Sequence, residues 1–257
     1  MKIRSGMTAM AVLALAACSS GNDTLNSGAS ADGSLQGAYT GTTANGVAFD
    51  TLFLDGGRFY VIYGNRDGID GPLLVNGFIE GNGTSSNGSF TSTNVKDFSD
   101  NTNTPATVSI SYGTGTGITG NLTINTATPV SDSFSAVPVT SGYAYGTAAK
   151  LSDITGSWQL TAVSGETVSV TVATTGNLTA NSSGCSITGT VKPRASGRNV
   201  FDVSLTFGPA PCAEPNQTAS GSAISYLLPD GRRQLVMAGT NADRTAGTAL
   251  FGTRAAQ

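Results

Sequence analysis

The stretch that decides the fold is VFDVSLTF, residues 200–207. Its apolar side chains occupy every second position, and polar side chains fill the positions between them. Successive side chains of a β-strand point to opposite faces, so this pattern predicts a strand with one buried face. The inward set is Phe201, Val203, Leu205 and Phe207, and the outward set is Asp202, Ser204 and Thr206.

The same period of two recurs along most of the chain, whereas no stretch shows a convincing helical period. Predicted strands of the first half are 36–43, 46–54, 58–63, 73–80, 89–98, 106–112, 118–124 and 133–145. Those of the second half are 158–164, 167–173, 177–181, 185–191, 200–207, 219–228, 233–237 and 246–254. A single helical turn is predicted at 150–154, just before the second series.

Two series of short strands predict an all-β protein with two domains, 35–148 and 149–257. Eight antiparallel strands in each suit a small barrel, because closure removes the exposed edges of a sheet. A two-sheet sandwich is the alternative. Gly37-Ala38-Tyr39 opens the first series and Gly156-Ser157-Trp158 the second, which suggests that the halves are distant duplicates.

The first residues carry a targeting signal. Lys2 and Arg4 precede the apolar run 7–17, which ends at Leu15-Ala16-Ala17-Cys18. This motif resembles the lipobox of bacterial lipoproteins. The resemblance implies removal of a signal peptide, 1–17, a diacylglyceryl thioether on Cys18 and usually a third acyl chain on its amine. The alternative is an ordinary secretory signal in which Cys18 is incidental.

A lipidated Cys18 would hold the protein in a membrane, because two or more acyl chains make attachment lasting. Ser19, rather than Asp, follows the cysteine, and by resemblance to lipoprotein sorting this favours the outer membrane, with either face open. Residues 18–34 are rich in Ser, Gly, Asn and Asp and predict a flexible tether.

Composition excludes several classes of function. Histidine is absent, which removes Ser-His-Asp and Cys-His catalysis and histidine-containing zinc sites. Loss of residues 1–17 takes away two of 13 basic residues, so 11 remain against 16 acidic ones, a formal charge of −5. That balance excludes a nucleic-acid partner. Charged residues are only 11% of the chain, against roughly 25% in ordinary domains.

With Cys18 lipidated, Cys185 and Cys212 remain as a pair in an oxidising compartment. Strand 200–207 folding back on 185–191 brings the two cysteines to one end, and we expect a structural disulfide. Two free thiols with a redox or metal role are the alternative, although neither a CxxC spacing nor a histidine accompanies them.

Gly156-Ser157-Trp158 follows the predicted helical turn, and Arg254 lies in the last predicted strand. This combination resembles the closure of lipocalin-type barrels. The resemblance implies that the Arg254 cation packs on the Trp158 indole and that the domain carries a small apolar ligand. Otherwise Trp158 is a core aromatic and Arg254 a solvated terminal residue.

Other motifs have simple structural explanations beside functional ones. Residues 65–71 space oxygen ligands like a calcium loop but fit a glycine-rich turn, and 113–117 fits a turn better than a phosphate cradle. Arg232 and Arg233 follow a hairpin tip and fit a solvated pair. Five tyrosines of the first half suit either a sugar-binding surface or the core. They are Tyr39, Tyr60, Tyr63, Tyr143 and Tyr145.

The sequence thus favours a non-enzymatic outer-membrane lipoprotein acting as a binding or envelope-structural module. Its expected contacts are the membrane through Cys18 and a protein, glycan or apolar ligand, with no cofactor. The alternative is a lipocalin-like carrier of a small apolar ligand. An enzyme using carboxylates such as Asp50 or Asp202 would rest on no recognisable motif.

Overall fold

The computed structural model describes residues 27–29, 33–66, 73–99, 102–113 and 115–256. It is all-β, with two antiparallel eight-stranded closed barrels in tandem, as the alternation predicts. The first region holds β1 (Ser27–Ala29), β2 (Leu35–Thr43), β3 (Ala48–Phe53), β4 (Arg58–Arg66), β5 (Leu73–Ser86), β6 (Ser89–Ser99), β7 (Thr102–Tyr112), β8 (Ile118–Ile124) and β9 (Val130–Pro138). The second holds β10 (Gly156–Ala162), β11 (Thr167–Val172), β12 (Asn177–Ser182), β13 (Cys185–Pro193), β14 (Phe201–Phe207), β15 (Thr218–Leu227), β16 (Arg232–Asn241) and β17 (Gly247–Ala255).

The first barrel runs from β2 to β9 and closes by pairing of these two strands. β9 covers only the second part of β2, from Tyr39 to Thr43. The first part is covered by β1, where Ala29 pairs with Leu35 and Ser27 with Gly37. Ser27–Ala29 lies inside the segment 18–34 that the sequence predicts as a tether. The part of the β2 edge that β9 does not cover has unpaired backbone N–H and C=O groups, and β1 pairs with this part.

The interior of the first barrel is filled at one end by aromatic rings. The Phe53, Phe59 and Phe90 side chains are at most 2% exposed, and their ring centroids lie 5.3–5.6 Å apart. Tyr39 packs edge-on against Phe53. An eight-stranded barrel is just wide enough for side chains to fill it, and large rings do so here.

The second barrel is closed by pairing of its first strand, β10, with its last strand, β17. The 3₁₀ turn Leu151–Asp153 lies just before β10. Trp158, Leu160 and Leu235 are fully buried or nearly so in its interior. Phe201 and Val203 point inward as predicted, with Leu205 partly buried against the same core. Because the chain runs up and down between neighbours, each strand pairs with the next in sequence.

One predicted strand is wrong at its end. β9 stops at Pro138, whereas the sequence predicted a strand continuing to residue 145. Tyr143 and Tyr145, two residues apart, imitate the alternation of a strand. Both are buried in a cluster that includes the outer face of the second barrel, at 4% exposure each, in the segment that joins the barrels.

An apolar cluster joins the outer faces of the two barrels. Leu52 and Tyr60 of the first barrel pack with the linker tyrosines, with Val200 at the entry to β14, and with Ile224 and Tyr226 of β15. Burial raises the pKa of Tyr145 and of Tyr226 to about 12, which keeps both phenols neutral below pH 10. A second cluster stacks Phe78 on Phe98 at 4.8 Å beside Ala249. The barrels are therefore held together by buried side chains.

Arginines of the second barrel reinforce this contact with ion pairs. The Nε of Arg194 lies 2.6 Å from Asp55, and the Nε of Arg244 lies 2.5 Å from Glu80. Glu80 is only 3% exposed and also pairs with Arg58 of its own barrel, 2.9 Å away. The Nζ of Lys96 donates to the Arg244 carbonyl at 2.8 Å. Positive side chains of the second barrel thus lie opposite negative side chains of the first barrel.

Candidate functional site

The structure contains the predicted disulfide. Cys185 begins β13, Cys212 lies between β14 and β15, and their Cα atoms are 4.5 Å apart. β14 folds back on β13, as predicted, and Phe207 lies opposite Ile187. Cys18, the predicted lipidation site, lies outside the described residues.

Arg254 and Trp158 make the contact that the sequence suggested. The Arg254 guanidinium lies 3.9 Å from the centroid of the Trp158 ring. Its Nη groups donate to the carbonyls of Ser157 (3.4 Å) and Asp153 (3.3 Å), while the indole Nε1 donates to Ile154 at 2.7 Å. Desolvation, and then the charge of Arg233, lower the pKa of Arg254.

This contact closes a seam of the second barrel. Thr161 and Ala162 of β10 pair with Phe251 and Leu250 of β17. Beyond these pairs, the Arg254 side chain bonds the 3₁₀ turn and the start of β10 to the last strand. The arginine therefore takes a structural position at one end of the barrel.

The tyrosines and the arginine pair that the sequence singled out make structural contacts. Tyr39, Tyr60, Tyr143 and Tyr145 are all buried and Tyr63 is partly buried, so these five rings do not form an exposed sugar-binding platform. Arg232 pairs with Asp230 at the hairpin tip, and Arg233 approaches Asp153.

The two carboxylates named for catalysis do not meet in a common cleft. Asp50 pairs with Arg66, and Asp202 pairs with Arg194, each in a different barrel. Of the predicted calcium loop, the structure describes Asn65 and Arg66 but not residues 67–71. Across the described ranges, no three His, Cys, Asp or Glu side chains cluster closely enough to hold a metal ion.

A concave surface lies on the outside of the first barrel, across β5 to β8. We call it the outer groove. It has a volume of about 460 Å³ and is lined by Ser, Thr and Asn side chains, with one glycine and one valine among them. Its lining residues are Asn82, Gly83, Thr84, Thr91, Ser92, Thr93, Asn94, Thr107, Val108, Ser109, Asn121 and Thr123.

A β-bulge shapes the outer groove. Thr84 pairs with Thr91 but Asn82 with Asn94, so β6 carries one residue more than β5 in this region. The same excess exists against β7, between Ser92 and Val95. A bulge bends its strand and increases the local twist. The surface of the barrel is consequently concave where an unbroken strand would be convex.

Hydrogen bonds fix the walls of the outer groove. The Ser92 hydroxyl donates to the Asn82 carbonyl at 2.6 Å and accepts from the Asn94 amide at 3.1 Å. Arg244 of the second barrel donates to the Asn94 side-chain oxygen. Gly83 has no room for a side chain, because a Cβ would come within 2.4 Å of the Thr91 carbonyl oxygen. The contact between the barrels therefore also holds one end of the groove.

The sequence predicts 89–98 as one uninterrupted strand, and a strand without a bulge would not form this groove. The signal was a change of phase: Phe90 and Val95 both face the interior although they are five residues apart. Within a regular strand, an odd spacing puts two side chains on opposite faces. That conflict marks the bulge.

No helix among the described residues is long and apolar enough to cross a membrane. No family model matches the chain, and no curated protein matches it.

Two solved structures are similar to the chain at low scores. One is a protein of unknown function from the DUF3598 family of Nostoc punctiforme, at 10% identity and a TM-score of 0.25, covering 85% of this chain and 93% of that protein. The other is the family 43 glycoside hydrolase YxiA of Bacillus licheniformis, at 10% identity and a TM-score of 0.29, covering 85% of this chain and 56% of that protein. Scores this low support no conclusion about activity.

Proposed function

We propose that the chain is an outer-membrane lipoprotein, anchored through Cys18, whose paired barrels act as a non-enzymatic binding or envelope-structural module. The observation that carries the proposal is the joining of two closed barrels by buried aromatic and ionic contacts. Such a joined body presents a fixed surface next to a membrane.

The disposition of acids supports a non-enzymatic role. Asp50, Asp55, Glu80 and Asp202 all pair with arginines. A general acid or base has to reach the substrate with a carboxyl oxygen, and arginine side chains contact these carboxylates instead. These carboxylates therefore suit a structural purpose.

The anchor is tested by Cys18→Ser in the producing cell. We expect the wild-type chain in the membrane fraction, released by detergent but not by high salt, because acyl chains do not respond to ionic strength. The Cys18→Ser chain should appear in the soluble envelope fraction. Ser19→Ala, which leaves the acylated residue intact, is the matched control for membrane retention. A Cys18→Ser chain that stays with the membrane would refute the anchor.

A second candidate, carriage of a small apolar ligand, is favoured by the open end of the first barrel. The inward-facing Leu122, Ile124 and Phe134 there are only partly buried, and Val130 is 59% exposed at the same end. Leu74 on β5 is 56% exposed at that end as well. Apolar walls with incomplete burial suit a ligand that removes them from water.

Carriage is tested by native mass spectrometry of the protein purified from its own cells. We expect an additional mass that organic extraction removes, and a lower occupancy when Leu122→Asp places a charge on the apolar wall. Val137→Asp, which changes an apolar side chain 60% exposed to water, is the control and should leave occupancy unchanged. Protein of bare mass under gentle ionisation would contradict this candidate.

A further inference from the structure

We propose that the outer groove binds an uncharged, hydroxyl-rich chain, of the chemical class of neutral oligosaccharides. This inference rests on the proposed binding role and names the site and the ligand class for it. It is independent of the apolar end of the first barrel.

The lining of the outer groove selects the ligand by charge. No lining residue carries an ionisable side chain, so the surface offers no counterion to a phosphate, carboxylate or ammonium group. Arg244 reaches the end of the groove, but its guanidinium is engaged with Glu80 and Asn94. A charged ligand would lose hydration without gaining a partner, which disfavours it.

The same lining offers both hydrogen-bond donors and hydrogen-bond acceptors. Each hydroxyl can donate one hydrogen bond and accept two, and each amide provides both kinds of group. Within the described part of the chain, no hydrogen bond occupies the side chains of Thr91, Thr93, Thr107, Ser109 and Asn121. A ligand with hydroxyls at regular spacing satisfies such a surface, because every sugar hydroxyl has the same dual character.

An extended peptide fits the outer groove less well. Peptides that bind sheets commonly add a strand to an exposed edge. β5, β6, β7 and β8 are each paired on both sides, so the groove presents side chains and no free strand edge.

The volume of the outer groove, about 460 Å³, lies in the range of small-molecule and cofactor sites, about 300–1,000 Å³.

The binding surface is also fixed in advance. The Ser92 bonds and the Arg244 contact hold the bulge, and the groove lies over the buried Phe90 and Val108. A fixed surface loses less conformational entropy on binding than a mobile one. Absence of an aromatic platform in the lining implies binding through hydrogen bonds, and hence modest affinity.

The test uses the full lipidated protein in detergent micelles and saturation-transfer NMR. The probes are maltohexaose, cellohexaose and chitohexaose, with a galacturonate hexamer of equal length as the charged comparison. We expect transfer to at least one neutral hexasaccharide and none to the galacturonate. Ser109→Trp, which fills the groove, should weaken binding at least about tenfold, equivalent to about 1.4 kcal/mol.

Ser111→Trp is the matched control, because Ser111 is exposed on the same strand but does not line the groove. It should bind as the wild type does, and circular dichroism should show that both variants keep their sheet structure. The proposal is overturned if no neutral probe binds, if the galacturonate binds equally well, or if both tryptophan variants lose binding together. Membrane retention through Cys18 is measured separately, so the anchor and the saccharide site can fail independently.

Discussion

Glu80→Ala should lower the free energy of unfolding by about 3 kcal/mol or more, the cost of removing one partner from a buried ion pair. The Glu80 carboxylate is 3% exposed and lies between Arg58 and Arg244. Its loss leaves the Arg244 guanidinium, whose side chain is 18% exposed, without a compensating charge. Urea denaturation followed by circular dichroism measures the change.

The same substitution should also uncouple the two barrels. Arg244 belongs to the second barrel, and its Nη2 donates to the Glu80 carbonyl at 2.7 Å, so side chain and backbone of β5 share one arginine. We expect the wild type to unfold in a single transition and the Glu80→Ala variant to unfold in two, because the two apolar clusters and the Arg194–Asp55 pair then hold the boundary without the buried Glu80 carboxylate. Arg244→Ala should produce the same separation.

Asp230→Ala is the matched control for the loss of an ion pair. Asp230 pairs with Arg232 at a hairpin tip, where the two side chains are 49% and 55% exposed. Exposed pairs contribute about 0–1 kcal/mol, so this variant should unfold almost as the wild type does. If Glu80→Ala costs no more than Asp230→Ala, the buried pair does not stabilise the contact between the barrels.

Alternation predicts most of this fold because the period of two reports directly on which face is buried. All sixteen barrel strands correspond to predicted ones, from β2 to β9 and from β10 to β17. The pattern fails at 139–145, where Tyr143 and Tyr145 alternate like strand residues although they lie in the segment joining the barrels. Their burial depends on a surface of the second barrel, and local sequence carries no information about that surface.

The outer groove and the ion pairs between the barrels were not predicted from the sequence, because they too depend on more than the local pattern. Arg194 and Asp55 are separated by 139 residues, and only the packing of two domains brings them together. The groove depends on one extra residue in β6, which local pattern registers as a change of phase between Phe90 and Val95. By contrast, the resemblance to lipocalin-type barrels implies the Arg254 contact with Trp158, which joins the last and first strands of a single barrel.

Removing the disulfide should cost about 3.5 kcal/mol in the chain-entropy model, and Cys185→Ser with Cys212→Ser is the variant that measures it. The bond closes a loop with a sequence separation of 27 and restricts the unfolded chain accordingly. Both cysteines must be replaced together, because a single substitution leaves a thiol able to pair wrongly. The denaturant midpoint should fall while the slope changes little or rises, since a longer free chain exposes more surface.

Because of the disulfide, we expect the stability of the protein to depend on the cellular compartment. Cys212 is 4% exposed, and its segment returns to β13 through the Gly208 amide, which donates to the Ser186 carbonyl at 2.8 Å. These contacts give the native state a preference for the bonded geometry, so we expect the bond to form completely in an oxidising envelope and not in the cytosol. Alkylation of thiols in intact cells, followed by mass spectrometry, reads out this difference. Export-blocked precursor should label at both cysteines and mature protein at neither. Free thiols in the mature protein, or an unfolding free energy unchanged by the double substitution, would show that the covalent link is dispensable and that the hydrophobic interior of β10 to β17 suffices to hold the second barrel closed.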